Sequence, residues 1–171
     1  SRGLGAAIAK RLAGLGADVA ITYAARGEEA MAVIDSVRAM GRRGLAIEVD
    51  VASFAAAEES VRRAVGELGG LHILVCNAGV TRDGVIWKMS EAQWDEVIDV
   101  NLKGCFNYAR AAAPAFRAQA YGKIVNVASI NGIRGKLGQS SYAASKGGVI
   151  ALTKSLAREL GDKNINVNAV A

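Results

Sequence analysis

Hydrophobic residues follow two alternating patterns along this chain. In some segments they return every three or four residues, as Leu4, Ile8 and Leu12 do, and this spacing is typical of a helix with one buried face. Between those segments lie short, continuous apolar runs, which are typical of strands buried in a parallel sheet. The apolar runs predict strands over residues 18–23, 45–49, 71–76, 123–128 and 165–170.

Segments with helical spacing separate the predicted strands. Met31, Ile34 and Val37 mark one side of the second such segment, and a capping box from Ser90 to Gln93 opens the longest one. After the first helix, we predict helices over residues 28–40, 54–68, 90–117 and 141–160. Strands that alternate with helices pair in parallel through right-handed crossovers. We therefore predict an α/β fold, a doubly wound, Rossmann-like parallel sheet in a single domain over residues 1–171, with ligands at the carboxyl ends of its strands.

Composition and charge narrow the class of protein. Of the 171 residues, 51% are hydrophobic and one is proline, which is the balance of a packed domain. No apolar run approaches the roughly 20 residues that span a bilayer, so we do not expect a membrane protein. The net charge is +5, but charges of both signs alternate and no basic run exceeds two residues, so we do not expect a nucleic-acid partner.

The cysteines do not indicate a metal or nucleophile site. Cys76 and Cys105 lie on apolar stretches without neighbours at ligand spacing, and His72 is the single histidine. These three residues make neither a zinc site nor a Cys/His catalytic pair. We expect no metal, and we expect both cysteines to be small core residues.

The chain opens with a glycine motif, Ser1-Arg2-Gly3-Leu4-Gly5, that leads directly into a helix. Glycines at a helix start let backbone amides approach a diphosphate, and the helix dipole favours the same anion. A tight turn without a ligand is the alternative interpretation of this motif. The cofactor-binding interpretation is strengthened by the polar residues that follow.

Polar residues come directly after several predicted strands. Asp50-Val51, Asn77-Ala78-Gly79 and Ser129 each follow one strand, and Tyr142 and Lys146 lie four residues apart on one face of a helix. Taken singly, they could be a helix cap, a turn and a surface pair. Their joint occurrence at the carboxyl ends of strands favours a functional site.

Asn101 is a further candidate. It falls in the apolar row formed by Trp94, Val97 and Cys105, so its side chain should point inward. A buried asparagine can be satisfied by backbone groups alone, and that alternative stays open from the residues themselves.

Together these motifs resemble the short-chain dehydrogenase/reductase family over essentially the whole chain. Residues 1–5 match the end of its Thr-Gly-x-x-x-Gly-x-Gly loop, and Asn77-Ala78-Gly79 matches its Asn-Asn-Ala-Gly motif with Cys76 at the first position. Tyr142 to Lys146 matches its Tyr-x-x-x-Lys motif, thirteen residues after Ser129. The family pattern starts one strand before Ser1 and continues beyond Ala171, so we expect the first and last strands of the sheet to lie outside this sequence.

The resemblance implies a nicotinamide-dependent oxidoreductase with a four-residue catalytic group. Hydride transfer belongs to the nicotinamide, and the protein supplies orientation and a proton. Tyr142 would exchange that proton with the substrate oxygen, helped by the Lys146 ammonium, which would also bind the nicotinamide ribose. Ser129 would hydrogen-bond the same oxygen, and Asn101 would hold a water that connects Lys146 to solvent.

The resemblance also identifies residues that would bind the cofactor. Gly3, Leu4 and Gly5 belong to the diphosphate loop, and Asn77, Ala78 and Gly79 to a second cofactor segment. Asp50 and Val51, which follow a predicted strand, are also expected to bind the cofactor. The remaining cofactor candidates are Ser1, Arg2, Tyr23, Arg26, Tyr142 and Lys146.

Arginines point to the phosphorylated form of the cofactor. NAD-preferring members carry an acid at the end of their second strand, and here that position is Tyr23. Arg2 and Arg26 are placed to bind a 2′-phosphate, which suits the planar guanidinium. We expect NADP(H) to be preferred, with NAD(H) as the alternative.

Within the family, residues 81–84, 89–97 and 138–142 most resemble β-ketoacyl-acyl-carrier-protein reductases and acetoacetyl-CoA reductases. A 3-oxoacyl thioester substrate is therefore expected, with acyl carrier protein as a possible partner. Carrier-protein reductases dock that partner through two basic residues, and the aligned positions here are Ala120 and Lys163.

Two other functions stay open: a dehydrogenase of secondary alcohols or sugars, and a binding protein that keeps the fold without catalysis. The resemblance further implies a cytoplasmic homotetramer assembled through the helices 90–117 and 141–160. The apolar residues expected to form an outward stripe on them are Phe106, Ala109, Ala113, Phe116, Val149, Thr153 and Leu156.

Overall fold

The computed structural model describes residues 3–171, which form two compact units, residues 3–71 and residues 72–171. Strands and helices alternate through both. The first unit contains α1 (Gly3–Gly14), β1 (Val19–Tyr23), α2 (Gly27–Ala39), β2 (Gly44–Glu48) and α3 (Phe54–Leu68). The second contains β3 (Ile73–Cys76), α4 (Glu91–Ile98), α5 (Gly104–Ala118), β4 (Gly122–Val127), α6 (Asn131–Arg134), α7 (Ser140–Leu160) and β5 (Ile165–Val170).

The first unit is built on a parallel pair of strands. Val19 of β1 lies opposite Gly44 of β2, and the register continues to the pair Tyr23 and Glu48. Helices α1 and α2 pack on this pair through small residues, because close approach of a helix to a strand requires short side chains between them. The buried members of that cluster are Ala9, Ala13, Val19, Val33 and Val37.

The second unit is a three-stranded parallel sheet in the order β3-β4-β5. Its core contains Phe116 of α5, Ile124 of β4, Val149 of α7 and Ile165 of β5, all essentially inaccessible to solvent. The backbone of Gly122 passes so near Phe116 that an added Cβ would lie 2.5 Å from the ring. Close packing at this point therefore requires a glycine.

The structure confirms the predicted elements closely. Each predicted strand is present with its ends shifted by at most two residues, and the capping box of Ser90 and Gln93 forms with both of its hydrogen bonds. All pairings between the named strands are parallel, and strands alternate with helices. The fold is therefore α/β and Rossmann-like. Among the described residues, no helix combines the length and apolar character needed to cross a membrane.

The long helix predicted over residues 90–117 is interrupted. Between α4 and α5 the backbone widens into a π-helical turn, Asp99–Lys103. Such turns are rare in proteins overall, and many of those known lie at functional sites. Helical periodicity in a sequence does not report the one extra residue that a π-turn accommodates, so the sequence predicted the extent of this helical stretch but not the π-turn within it.

Three expectations about burial were wrong. Met31 is 42% exposed, because Ala30, Val33, Ile34 and Val37 form the buried face of α2. In β3 burial alternates, with Leu74 and Cys76 inside and Ile73 exposed, since successive strand side chains point to opposite faces. Most of the expected outward stripe faces the core instead, and its buried members are Ala109, Phe116, Val149 and Thr153.

Candidate active site

Lys146 and Tyr142 lie one turn apart near the amino end of α7. Lys146 is 3% exposed, and its ammonium donates a hydrogen bond of 2.6 Å to the backbone carbonyl of Val127 at the end of β4. The same nitrogen lies 5.8 Å from the centre of the Tyr142 ring. Burial lowers the pKa of Lys146, because a charged group is less stable away from water. The helix thus holds a buried cation next to a half-buried phenol.

The loop after β3 passes alongside this cation at Gly79. A Cβ added there would lie 3.3 Å from the side-chain oxygen of Asn101 and 3.6 Å from the Lys146 ammonium. The first distance is tight and the second is an ordinary contact, so a glycine lets the loop approach Asn101 closely. Gly79 of the Asn77-Ala78-Gly79 motif and Lys146 are therefore neighbours.

Asn101 lies in the π-turn and is fully buried. Its side-chain oxygen accepts a 2.8 Å bond from the Val80 amide, and its side-chain nitrogen donates to the Val80 carbonyl at 3.0 Å. That nitrogen also donates to the Ser145 hydroxyl at 3.1 Å, and Ser145 in turn donates to the Tyr142 carbonyl at 2.7 Å. The inward orientation is confirmed, and the amide joins the loop after β3 to the helix that carries Tyr142.

Ser129 lies directly after β4. Its hydroxyl oxygen accepts a 3.2 Å bond from the Asn131 amide at the start of α6. Helix α6 is pressed against α7, because a Cβ added at Gly132 would lie 2.6 Å from the Gly147 nitrogen. The sequence placed Ser129 at the end of a strand, and the structure fixes its loop against the helix of Tyr142 and Lys146.

A polar cluster beside these residues was missed as part of the site. Gln139, immediately before α7, is buried, and its amide nitrogen donates to both carboxylate oxygens of Asp83 at 3.1 and 3.0 Å. Its oxygen accepts a 2.9 Å bond from Asn131. These residues stand in segments already noted for their resemblance, but no spacing in the sequence links positions 83, 131 and 139.

The two cysteines form a buried pair beneath the site. Both are free thiols, as expected of core residues, and the Cys105 thiol donates a 3.2 Å hydrogen bond to the Asn101 carbonyl. The neighbouring Cys105 thiol and burial both raise the pKa of Cys76. Among residues 3–171, no group of three metal-ligating side chains is found.

The remaining cofactor candidates belong to the first unit, apart from Ser1 and Arg2, which lie outside the described residues. Gly3 begins α1 with φ of 57°, and nothing lies within 4 Å of the position that a Cβ would take there. Leu4 is exposed and Gly5 follows in the first turn. An open, glycine-lined helix start fits a diphosphate, which binds to free amides at such a terminus.

Tyr23 ends β1, and Arg26 precedes α2. The Arg26 guanidinium is half-exposed and pairs with Glu29 at 2.9 Å, an exchangeable surface contact. Asp50 follows β2, and its carboxylate accepts a 2.9 Å bond from the Ala52 amide, which shapes the turn that also contains Val51. Asp50 is thus a turn residue, and Ser53 caps the following helix.

Known proteins match this chain along its whole length. The short chain dehydrogenase family matches residues 1–171. The chain is 46% identical over 171 residues to the 3-oxoacyl-[acyl-carrier-protein] reductase FabG of Staphylococcus aureus, which covers 100% of this chain and 70% of that protein. It is 41% identical over 169 residues to nodulation protein G of Azospirillum brasilense, covering 99% and 69% of the two chains.

A solved structure agrees with the fold. The crystal structure of a putative short-chain alcohol dehydrogenase from Sinorhizobium meliloti superposes with a TM-score of 0.96 at 38% identity, covering 99% of this chain and 67% of the other. The sequence match extends over every motif from the glycine loop to Lys146. The chain therefore belongs to the short-chain dehydrogenase family and is an oxidoreductase fold of that kind.

Proposed function

We propose that this protein is an NADP(H)-dependent reductase that converts a 3-oxoacyl thioester to its 3-hydroxyacyl form. The observation that carries the proposal is the Lys146 ammonium, buried beside the Tyr142 ring and the Gly79 loop. Burying a cation is costly and is common where chemistry requires it. The 46% identity to a 3-oxoacyl-[acyl-carrier-protein] reductase supports the choice of substrate class.

In this proposal the protein's own residues manage one proton. When bound, the nicotinamide supplies or accepts the hydride. Tyr142 gives its hydroxyl proton to the substrate carbonyl oxygen, and Ser129 donates a hydrogen bond to the same oxygen as negative charge develops there. Lys146 stabilises the resulting phenolate with its positive charge.

Asn101 has a positional part in the same scheme. Its side chain bonds Val80 and Ser145, and so it holds the β3 loop against α7. The family's role for this residue, support of a water that connects Lys146 to solvent, stays part of the proposal. In that role it would let Lys146 return a proton to Tyr142 after each turnover.

We further propose which residues hold the cofactor. The amides of Gly3, Leu4 and Gly5 would bind the diphosphate, and Lys146 with Tyr142 would bind the nicotinamide ribose. The other contacts would come from Ser1, Arg2, Tyr23, Arg26, Asp50, Val51, Asn77, Ala78 and Gly79.

The preference for NADP(H) over NAD(H) rests on Arg2. An R2A variant should weaken NADPH binding far more than NADH binding, because a charge-assisted arginine–phosphate contact contributes roughly 1.5–3 kcal/mol. Equal losses for both cofactors, measured by fluorescence titration, would remove Arg2 from this role.

Acyl carrier protein is the proposed macromolecular partner. The reductases dock this partner through two basic residues, and the aligned positions here are Ala120 and Lys163. These positions lie close together, since the side chain of Asn164, next to Lys163, donates to the Ala120 carbonyl at 3.1 Å. Only Lys163 is basic, and it pairs with Asp162 at 2.9 Å. The proposed substrates therefore include a coenzyme A thioester as well as the carrier-bound thioester.

Two alternatives and the assembly complete the proposal. A dehydrogenase of a secondary alcohol or sugar is the second candidate, favoured by the likeness to a putative short-chain alcohol dehydrogenase. A non-catalytic binding protein is disfavoured by the presence of both Tyr142 and Lys146.

We propose residues 1–171 as part of one NAD(P)-binding domain in a cytoplasmic homotetramer.

The test is direct. Purified intact protein is mixed with NADPH or NADH and with acetoacetyl-CoA, an acetoacetylated carrier protein, a simple ketone and a keto sugar, and nicotinamide absorbance is followed. Rapid thioester reduction with NADPH is the expected result. Faster turnover of the ketone or sugar than of either thioester would establish the second candidate instead.

A further inference from the structure

Two segments that the proposed mechanism leaves without a role meet beside Tyr142. Residues 81–84 and 138–141 are joined by the two bonds from the Gln139 amide nitrogen to the Asp83 carboxylate. A bond of 2.8 Å from the Gly84 amide to the Gly138 carbonyl fixes their backbones as well. Because a carboxylate can only accept hydrogen bonds, Asp83 forces the Gln139 nitrogen toward itself and the Gln139 oxygen away.

The other end of the Gln139 side chain leads to Ser129. Its oxygen accepts the side-chain amide of Asn131 at 2.9 Å, and the backbone amide of Asn131 bonds the Ser129 hydroxyl oxygen at 3.2 Å. A continuous chain of hydrogen bonds therefore runs from Asp83 through Gln139 and Asn131 to Ser129. The Asp83 carboxylate fixes the orientation of the Gln139 amide, whose oxygen then accepts from Asn131.

Gln139 also anchors the helix of Tyr142. Its backbone carbonyl accepts the Ala143 amide at 2.8 Å, which closes the first turn of α7 around Tyr142. The Gln139 side chain is buried and so is held by these contacts. A shift of Gln139 would move the turn that carries the phenol and would release the loop that carries the serine.

We propose that Asp83, Gln139 and Asn131 are positioning residues that set the place of the Ser129 hydroxyl relative to the Tyr142 phenol. This inference rests on the proposed function, in which both hydroxyls act on one substrate oxygen. Two groups that must meet one atom tolerate little displacement, and a misplacement of about 1 Å can cost on the order of a hundredfold in rate. The three residues touch neither reacting atom, so they act through position.

The first test is a Q139L variant of the intact protein, which keeps the side-chain volume and removes both links. We expect kcat with acetoacetyl-CoA and NADPH to fall roughly tenfold or more, with KM changed by less than about threefold. Q119L is the matched control, because the Gln119 side chain also donates a hydrogen bond, to the Tyr121 carbonyl, but lies exposed before β4, at the opposite end of that strand from Ser129. The control should keep the rate of the original protein.

A charge exchange separates positioning from simple loss of folding. Q139E places a second carboxylate against Asp83, and like charges there should break the link and lower kcat at least as far as Q139L does. The double variant D83N/Q139E restores it, because the new amide can donate to the new carboxylate, whose other oxygen still accepts from Asn131. We expect kcat to return to within roughly threefold of the original value, a coupling that a double-mutant cycle measures.

Three outcomes would overturn the inference: an unchanged kcat in Q139L, a loss confined to KM, or a double variant no more active than Q139E while its thermal midpoint is restored. The proposed function fails separately, if the original protein reduces a simple ketone but no thioester. The same series is then measured with the ketone, because positioning of the two hydroxyls does not depend on the thioester. A protein that reduces no carbonyl compound with either cofactor would overturn both.

Discussion

The two units of this protein differ in where they keep their polar groups. In the first unit, several ion pairs lie exposed along helices, such as Arg38 with Asp35 and Arg63 with Glu67. Among residues 3–171, eight of the nine buried polar side chains belong to the second unit, and Ser60 is the exception. Both units are parallel α/β layers, so the difference does not follow from the type of fold.

Several buried polar side chains of the second unit bond to one another or to backbone groups. Asn126 of β4 donates to Thr153 of α7 at 2.9 Å, Asn101 donates to a backbone carbonyl in the loop after β3, and Lys146 donates to one at the end of β4. A buried polar group without a partner costs about 1–3 kcal/mol, so each one must be matched by a donor or acceptor at a defined place. The comparison teaches that the first unit is stabilised mainly by apolar packing, while the second also carries a fixed polar frame around Tyr142.

The largest effect should come from Tyr142 itself. In a Y142F variant the ring and its packing remain and the proton is lost, so kcat should fall about 10²–10⁴-fold. The unfolding midpoint in urea should stay within error. Y121F is the matched control, since Tyr121 is exposed and its ring lies near His72 and Lys123. Full activity in Y142F would mean that the polar frame serves some other residue.

The next effect concerns stability. An N101A variant leaves the Val80 amide and carbonyl without their side-chain partner inside the protein. The free energy of unfolding should fall by about 1–3 kcal/mol. In the first unit, E67A removes an exposed partner of Arg63 and should give no change that a urea titration resolves. Similar losses of unfolding free energy in both variants would contradict the distinction between the two units.

Replacing a glycine by alanine should raise the stability in the first unit and lower it in the second. G66A lies in the exposed interior of α3, where an added Cβ meets nothing within 4 Å, so it should stabilise the protein by about 0.5–1 kcal/mol. G79A places a Cβ 3.3 Å from the Asn101 side-chain oxygen, which the Val80 amide holds in place, so it should lower both the midpoint and kcat. Thermal melts and initial rates of the pair would sharpen the comparison. A stabilised G79A with full activity would show that the loop has room to move.

The smallest expected effect is a pH dependence centred on Lys146. Burial lowers the pKa of Lys146 below its ordinary 10.5, so activity that requires the ammonium should be lost as pH rises through that lowered value. Between the two values the unfolded chain binds more protons than the folded one, so the free energy of unfolding contributed by this group rises over the same range. Rates and urea midpoints measured across that range should therefore change in opposite directions.

A K146R variant provides the control for that profile. Arginine keeps its charge throughout the accessible range, so its alkaline loss of activity should move upward or disappear, whatever its absolute rate. An unchanged alkaline limb in K146R would assign the titration to another group.

The sequence by itself determined the strands, most of the helices and the catalytic candidates. Apolar periodicity is a local property, and it located β5 at residues 165–170 and α3 at residues 54–68 without error. The spacing of Tyr142 and Lys146 fixed their shared helix face for the same reason, since a helical turn is set by hydrogen bonds within the segment.

Only the tertiary structure decided the features that join distant segments. The π-turn around Asn101 accompanies bonds to Val80, 21 residues away, and the link from Gln139 to Asp83 spans 56 residues. Burial of Thr153 and exposure of Met31 likewise depend on which neighbour each helix packs against. A hydrogen bond between such positions leaves no periodic trace in the chain, because its geometry is set by the packing of whole elements rather than by the residues next to it.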